Sequence, residues 1–206
     1  MVRYPLMNTK TFSQEADFIK ESAKIILEAC KLPNAKIALS GGQTPEPILK
    51  ELSHHVEKDN ATFYQVDERY TEKTSPDSNQ KMIRDSLNPK NFITFDTSLP
   101  IEEALSNYQN QLPNQFDLIV LGIGTDGHTA SLFPNSPATE EESSPVAHTQ
   151  TSEFTIPDRL TLTFPPILHS KKILVLLKGQ NKIDAIEKFP ASKLLKHQNL
   201  QVHFLV

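Results

Sequence analysis

The stretch "FDLIVLGIG", Phe116 to Gly124, restricts the fold more than any other part of the chain. Leu118 to Leu121 are apolar without a break. A strand of that kind has no face for water, so it belongs inside a parallel sheet covered by helices on both sides. Similar runs recur at "KIALS" (36–40), "TFYQV" (62–66), "NFITF" (91–95), "KKILVLLKG" (171–179) and "LQVHFLV" (200–206). Segments of helical period lie between several of them. Residues 13–32 bring Ala16, Ile19, Ala23, Ile26, Leu27 and Cys30 to one face, with Ser13 as cap. Thr44 is placed to cap a helix with Pro45 at its first position, running to about Val56. Ser78 caps another through Leu87. Residues 101–112 read as an amphipathic helix, and a further helix is expected from Asn181 to Lys188. "RLTLTF" (159–164) alternates polar and apolar, as an edge or antiparallel strand does. The sequence predicts an α/β fold: a doubly wound, mostly parallel sheet flanked by helices. No internal repeat or linker interrupts it, and "NSPATEEESSP" (135–145) is the most loop-like segment.

A chain of 206 residues has room for one substantial core, so a single domain spanning 1–206 is expected. The formal net charge is -4, and neither a basic stripe nor a basic helix is present. That excludes a general nucleic-acid or membrane-surface binder, while leaving room for an anionic small molecule held by a few local donors. The opening residues, "MVRYPLMNTKTF", contain no apolar leader core, and no run approaches a membrane span. A cytoplasmic monomer is the expectation. The single cysteine, Cys30, falls on an apolar helix face and reads as a reduced core thiol. His54 and His55 read as solvent-facing on a helix. His148, His169, His197 and His203 show no metal-ligand spacing, and no GxSxG elbow supplies a serine nucleophile.

In sheets of this kind ligands bind beyond the carboxyl ends of the strands, and three such ends are unusual. In "ALSGGQTPEP", a strand runs into Ser40, Gly41 and Gly42 just before a helix opens, which suits an anion such as phosphate. An ordinary Gly-Gly turn reads the same way, and the pattern is neither a Walker loop nor GxGxxG. In "YQVDERYTEKTSPDSNQ", Asp67, Glu68 and Arg69 leave a strand together. They could form only a solvated loop, but Arg69 suits phosphate or carboxylate if it faces the same crevice, and Asp67 suits sugar hydroxyls. In "GIGTDGHTASLFP", Asp126 and His128 stand among Gly122, Gly124 and Gly127, which keep the site open. An imidazole titrates near neutral pH, and Asp126 can orient it. Thr129 and Ser131 are placed to cap a short following helix anchored by Leu132 and Phe133. A capping histidine in a structural turn is the alternative, but acid, base and glycines together at a strand's end favour chemistry.

The segments "LSGGQTP", "VDERY...SPDSN" and "GIGTDGHTASLFP", in this order and spacing, resemble the 6-phosphogluconolactonases of the glucosamine-6-phosphate isomerase/6-phosphogluconolactonase family. "RLTLTFPPIL" (159–168) and "LLKGQNK" (176–182) resemble its later segments. The resemblance implies a Rossmann-like fold and hydrolysis of a phosphosugar lactone, 6-phospho-glucono-1,5-lactone, with neither metal nor organic cofactor. It implies that His128 is the catalytic base and Asp126 its neighbouring acid. Asp67 and Arg69 match the pair facing the substrate, and Ser40, Gly41 and Gly42 the loop near the phosphate. Lys182 matches a phosphate-contacting lysine, and Arg159 an arginine of the "RLTLT" strand. Gln43 stands where the family more often has a small hydroxyl residue, and members often continue past the last strand. A glucosamine-6-phosphate deaminase/isomerase has the same turn but needs a carboxylate soon after the histidine, which "SLFPNSP" does not offer. A sugar-phosphate sensor domain would need a DNA-binding module, for which no segment is spare.

Overall fold

The computed structural model describes residues 8–206; the leader reading of residues 1–12 therefore falls in part on residues 1–7, outside the described ones. Ten strands are formed: β1 (Thr9–Phe12), β2 (Lys36–Leu39), β3 (Thr62–Gln65), β4 (Asp67–Arg69), β5 (Asn91–Ile93), β6 (Leu118–Gly122), β7 (Val146–Gln150), β8 (Asp158–Leu162), β9 (Ile173–Lys178) and β10 (Leu200–Leu205). The α-helices are α1 (Glu15–Cys30), α2 (Glu46–Ser53), α3 (Asn79–Leu87), α4 (Ile101–Gln109) and α5 (Phe164–Leu168). Seven strands make one sheet in the order β1-β10-β9-β6-β2-β3-β5, every pair of neighbours parallel. Strands β4, β8 and β7 make a small antiparallel sheet.

The continuous apolar runs are explained by two cores, one on each face of the large sheet. Along β6, Leu118 and Val120 join the core under α1, α2 and α3, while Ile119 and Leu121 join the core shared with α4, α5 and the small sheet. Strand β9 splits the same way, Leu174 and Leu176 to one side and Ile173, Val175 and Leu177 to the other. Side chains alternate across a strand, so two apolar faces require an unbroken apolar run.

Several local expectations change. Helix α1 is capped at Gln14 rather than Ser13, without a side-chain hydrogen bond. Helix α2 has Pro45 at its cap position, receives no bond from Thr44, and stops at Ser53. His54 and His55 therefore follow the helix instead of lying on it. Helix α4 ends at Gln109 rather than at residue 112, and the Gln180–Glu187 segment is 3-10 rather than α-helical. Ser78 does cap α3, its Oγ accepting from the Lys81 N–H at 3.1 Å. The "RLTLTF" strand is antiparallel, and it lies at the centre of the small sheet. Within 135–145, Pro137–Glu140 forms a 3-10 turn. Cys30 is buried, and burial pushes its thiol up to about 12, which keeps it protonated and inert. Among the described residues no helix is long and apolar enough to cross a membrane.

His203, on β10, is buried at the side of α1. Its Nδ1 lies 2.8 Å from Ser22 Oγ and its Nε2 2.9 Å from Gln201 Nε2. Burial foremost, then the Lys10 charge, brings its pKa from 6.5 down to about 4. The unfolded chain thus takes up this proton first. The stability that His203 contributes is complete above about pH 6.5 and is lost as the pH falls toward 4. The Tm should drop by several degrees across that window, and His203→Gln should flatten this part of the curve. An unchanged slope in the variant would assign the effect to other groups.

Candidate active site

After β2 the chain steps outward to β3 and β5; after β6 it steps the opposite way to β9 and β10. The reversal lies between the neighbours β2 and β6, and a ligand crevice forms beyond the carboxyl ends of strands at such a point. An open cleft of about 1370 Å³ occupies this position. Its lining includes Ser40, Gly41 and Gly42 after β2, Asp126 and His128 after β6, Asp67 and Arg69 of β4, Arg159 of β8, and Lys182 after β9. The structure therefore brings these nine candidate residues to one cavity, while Glu68 and Gly127 stand off its wall.

The loop after β6 is a tight turn. Gly124 N–H donates to His128 O (2.9 Å), Gly127 N–H donates to Gly124 O (3.0 Å), and Thr129 Oγ1 donates to Gly122 O (3.0 Å). Its glycines serve separate ends. A Cβ on Gly124 would lie 2.2 Å from the His128 ring and 2.5 Å from Asp126 Oδ1. Gly127 adopts φ +94°, and a Cβ there would meet Lys188 Cβ at 2.6 Å. Only Gly122 opens onto free space. Two further bonds brace the turn from below: Lys188 Nζ donates to Thr125 O (2.6 Å) and Ala191 N–H to Gly127 O (3.0 Å). No helix follows the turn. Ala130 takes a left-handed φ of 52°, and Thr129 and Ser131 are bonded elsewhere rather than acting as caps.

His128 Nδ1 lies 2.6 Å from Asp126 Oδ1, and the same oxygen accepts the His128 backbone N–H at 3.2 Å. A carboxylate can only accept, so in the neutral ring Nδ1 carries the proton and Nε2 the lone pair. The ring is flanked by Phe133, centroids 5.0 Å apart, and meets Phe154 edge-on at 5.8 Å. This fixes its plane as well as its tautomer.

The opposite wall is charged. The register of β4 against β8 sets Arg69 directly across from Arg159. Arg159 is buried, its Nε donates to Ile156 O (2.9 Å), and its guanidinium lies over the Phe154 ring at 5.3 Å. Burial first, and the Arg69 charge second, hold its pKa below the ordinary arginine value. Two facing cations at a cleft wall attract an anion. Asp67 is buried beside them; its Oδ2 accepts from Ser131 Oγ at 2.7 Å. Ser40 Oγ, Arg69 Nε and Asn79 Oδ1 are buried without a hydrogen-bond partner, three of the four such side-chain atoms among the described residues. Unsatisfied polar atoms are uncommon in folded proteins and collect where ligands bind. No group of three or more His, Cys, Asp and Glu among the described residues could hold a metal ion.

Sequence reasoning missed several lining residues. Asn79 lines the cleft from the first turn of α3; its position directly after the Ser78 cap was the available signal. Ser131 lines the cleft from a turn rather than a helix start. His148, on β7, lines the cleft and lies 2.7 Å from Asp158. Phe154 arrives from the β7–β8 loop, and nothing in the sequence marks it.

The family model described as "Glucosamine-6-phosphate isomerases/6-phosphogluconolactonase" matches residues 10–199. A Dictyostelium discoideum protein named "Probable 6-phosphogluconolactonase" is 34% identical over 218 residues, covering 92% of this chain and 92% of that one. The 6-phosphogluconolactonase of Thermotoga maritima is 33% identical over 201 residues, covering 92% of this chain and 88% of its own. The crystal structure of 6-phosphogluconolactonase from Thermotoga maritima superposes with a TM-score of 0.86 at 27% identity, covering 96% of this chain and 98% of that chain. The Trypanosoma brucei 6-phosphogluconolactonase structure gives 0.83 at 26% identity, over 96% and 95%. A parallel sheet reversing between β2 and β6, a histidine turn beyond it and a match across almost the whole length lead to one conclusion: the chain belongs to the glucosamine-6-phosphate isomerase/6-phosphogluconolactonase family.

Proposed function

We propose that this chain hydrolyses 6-phospho-D-glucono-1,5-lactone to 6-phosphogluconate, the lactone step of the oxidative pentose phosphate pathway. The observation that carries the reading is the His128–Asp126 pair, 2.6 Å apart, with Nε2 left as a base in a cleft whose far wall holds two arginines. A lactone is an activated ester, so water suffices as nucleophile. His128 Nε2 takes a proton from water as its oxygen attacks C1, and Asp126 stabilises the imidazolium. The developing oxyanion is met by Arg69 or by amides of the glycine turns. As the tetrahedral intermediate collapses, the C1–ring oxygen bond breaks and the imidazolium returns its proton to that oxygen. No covalent intermediate forms, and no cofactor enters the steps.

The 6-phosphate is assigned to the Ser40–Gly42 loop and Lys182, with Arg159 and Arg69 adding positive potential. Asp67 accepts from sugar hydroxyls. Holding the phosphate fixes C1 over His128. Deamination or isomerisation of glucosamine 6-phosphate fits less well, since residues 131–137, "SLFPNSP", carry no carboxylate next to the histidine. The direct test feeds freshly generated lactone and follows acid release above the spontaneous background; a background-level rate refutes the proposal. Ammonia release from glucosamine 6-phosphate would favour the isomerase. Lys182→Ala should raise KM for the phospholactone about tenfold, as expected for one charge-assisted contact, and unphosphorylated gluconolactone should be a poor substrate. Equal turnover of the two lactones would remove the phosphate assignment.

A further inference from the structure

Glu68 lies between Asp67 and Arg69 but is absent from the cleft wall, and it is 1% exposed. Its carboxylate is saturated. Oε1 accepts the backbone N–H of Arg69 (2.8 Å) and of Asn79 (2.7 Å). Oε2 accepts Gln65 Nε2 (2.7 Å), the Gln80 N–H (2.7 Å) and the Ser78 hydroxyl (3.1 Å). Backbone and amide N–H groups can only donate, so four of these five contacts each use an accepting lone pair of the carboxyl group, and the charged form serves them best. Burial pushes the Glu68 pKa up, and these hydrogen bonds work against that rise. The carboxyl group sits on the first turn of α3, whose N–H groups favour its charged form.

We infer that Glu68 is a positioning residue for the hydrolysis proposed above: its carboxylate locks the first turn of α3 onto β4 and, through Asn79, sets Asp67, Arg69 and the Gly41 loop in place for the phosphosugar. The inference rests on the reading that those residues hold the substrate. Asn79 is the connecting piece. Its Nδ2 donates to Asp67 O at 2.9 Å and approaches Asp67 Oδ1 at 3.4 Å. Its amide packs so closely on Gly41 that a Cβ there would fall 1.9 Å from Oδ1. Three cleft segments distant in sequence thus meet at one side chain, whose backbone N–H is held by Glu68. Helix α3 does not need a buried carboxylate to form, because Ser78 caps it and Ile83 and Leu87 bury its apolar face. Burying that carboxylate is expensive unless fully bonded, and here four of the five bonds go to Arg69 and residues 78–80, the fifth coming from Gln65 on β3.

Three variants test this. Glu68→Gln keeps the volume but turns an N–H toward at least two of the five donors, whichever way the amide is flipped. Asn79→Ala keeps the backbone bond to Glu68 and removes the link to Asp67 and Gly41. Ile83→Ala loosens α3 from its far side, away from the cleft. For each, kcat and KM with freshly generated phospholactone, Kd for 6-phosphogluconate by calorimetry, and Tm are measured. Glu68→Gln and Asn79→Ala should raise KM and Kd about tenfold or more, with kcat changed far less. Ile83→Ala should lower Tm and leave KM native. A folded Asn79→Ala protein with native KM and Kd overturns the inference even if Glu68→Gln fails to fold. An equal KM rise in Ile83→Ala overturns it too. If the unaltered chain does not hydrolyse the lactone, the functional reading fails instead, and that result is separate from the comparison among variants.

Discussion

His128→Ala should lose about 10²-fold or more in kcat while keeping its fold and its affinity for 6-phosphogluconate. A positioned general base contributes about 10²–10⁴-fold, and removing the imidazole leaves water with no acceptor at C1. The phosphate is assigned to other loops, so product binding should survive. The turn itself should survive as well, since its bonds run through Gly124, Gly127, Thr129 and the brace from Lys188 and Ala191. A histidine that only holds the turn together predicts the reverse: a lower Tm and nearly normal kcat in the folded fraction. Measuring both on one preparation separates the two. Near-native turnover by a stably folded variant would sink the mechanism.

Gly124→Ala should be nearly as damaging, although it removes no chemical group. The added methyl would sit 2.2 Å from the His128 ring and 2.5 Å from Asp126 Oδ1. Neither contact is tolerable, so the pair must move. A displacement of about 1 Å in a catalytic group costs on the order of 10²-fold, and most of this loss should appear in kcat. Gly122→Ala provides the comparison for stability, because nothing lies within 4 Å of a Cβ there. If Gly124→Ala kept native kcat, the His128 ring would not need the geometry described.

The large sheet was legible because its physics is coarse. Strands covered on both faces must be apolar throughout, and "LIVL" or "ILVLL" has few other readings. The small antiparallel sheet was not. Strand β4 is Asp-Glu-Arg, which carries no strand signal, and it is extended because β8 offers it a partner edge. Strand β1 is "TKTF", with a single buried residue, Phe12, to announce it. Ser13 and Thr44 do not cap, since α1 starts from Gln14 and α2 from Pro45 with no side-chain cap bond, and a hydroxyl near a helix start can also bond elsewhere in the fold. Ser131 illustrates this, spending its hydroxyl on Asp67, 64 residues away.

In the site, the loops at strand ends were readable because glycines, an acid and a base converge there under a known rule for parallel sheets. Residues that act through others were not. Glu68 looks like one charge among three, and its five donors are visible only once α3 is docked. Phe154 reads as an isolated aromatic in a polar loop, yet it touches both His128 and Arg159. The spacing of Arg69 and Arg159, 90 residues apart in sequence, follows from the β4–β8 register alone.

On the proposed mechanism, the brace beneath the histidine turn separates the residues assigned to the chemistry from residues that only support them. Lys188 and Ala191 hold Thr125 and Gly127 through a side-chain amine and a backbone N–H. If His128 is the base, substitutions at residues 188–191 should change kcat through the placement of the turn while leaving KM near native, since none of these residues lines the cleft.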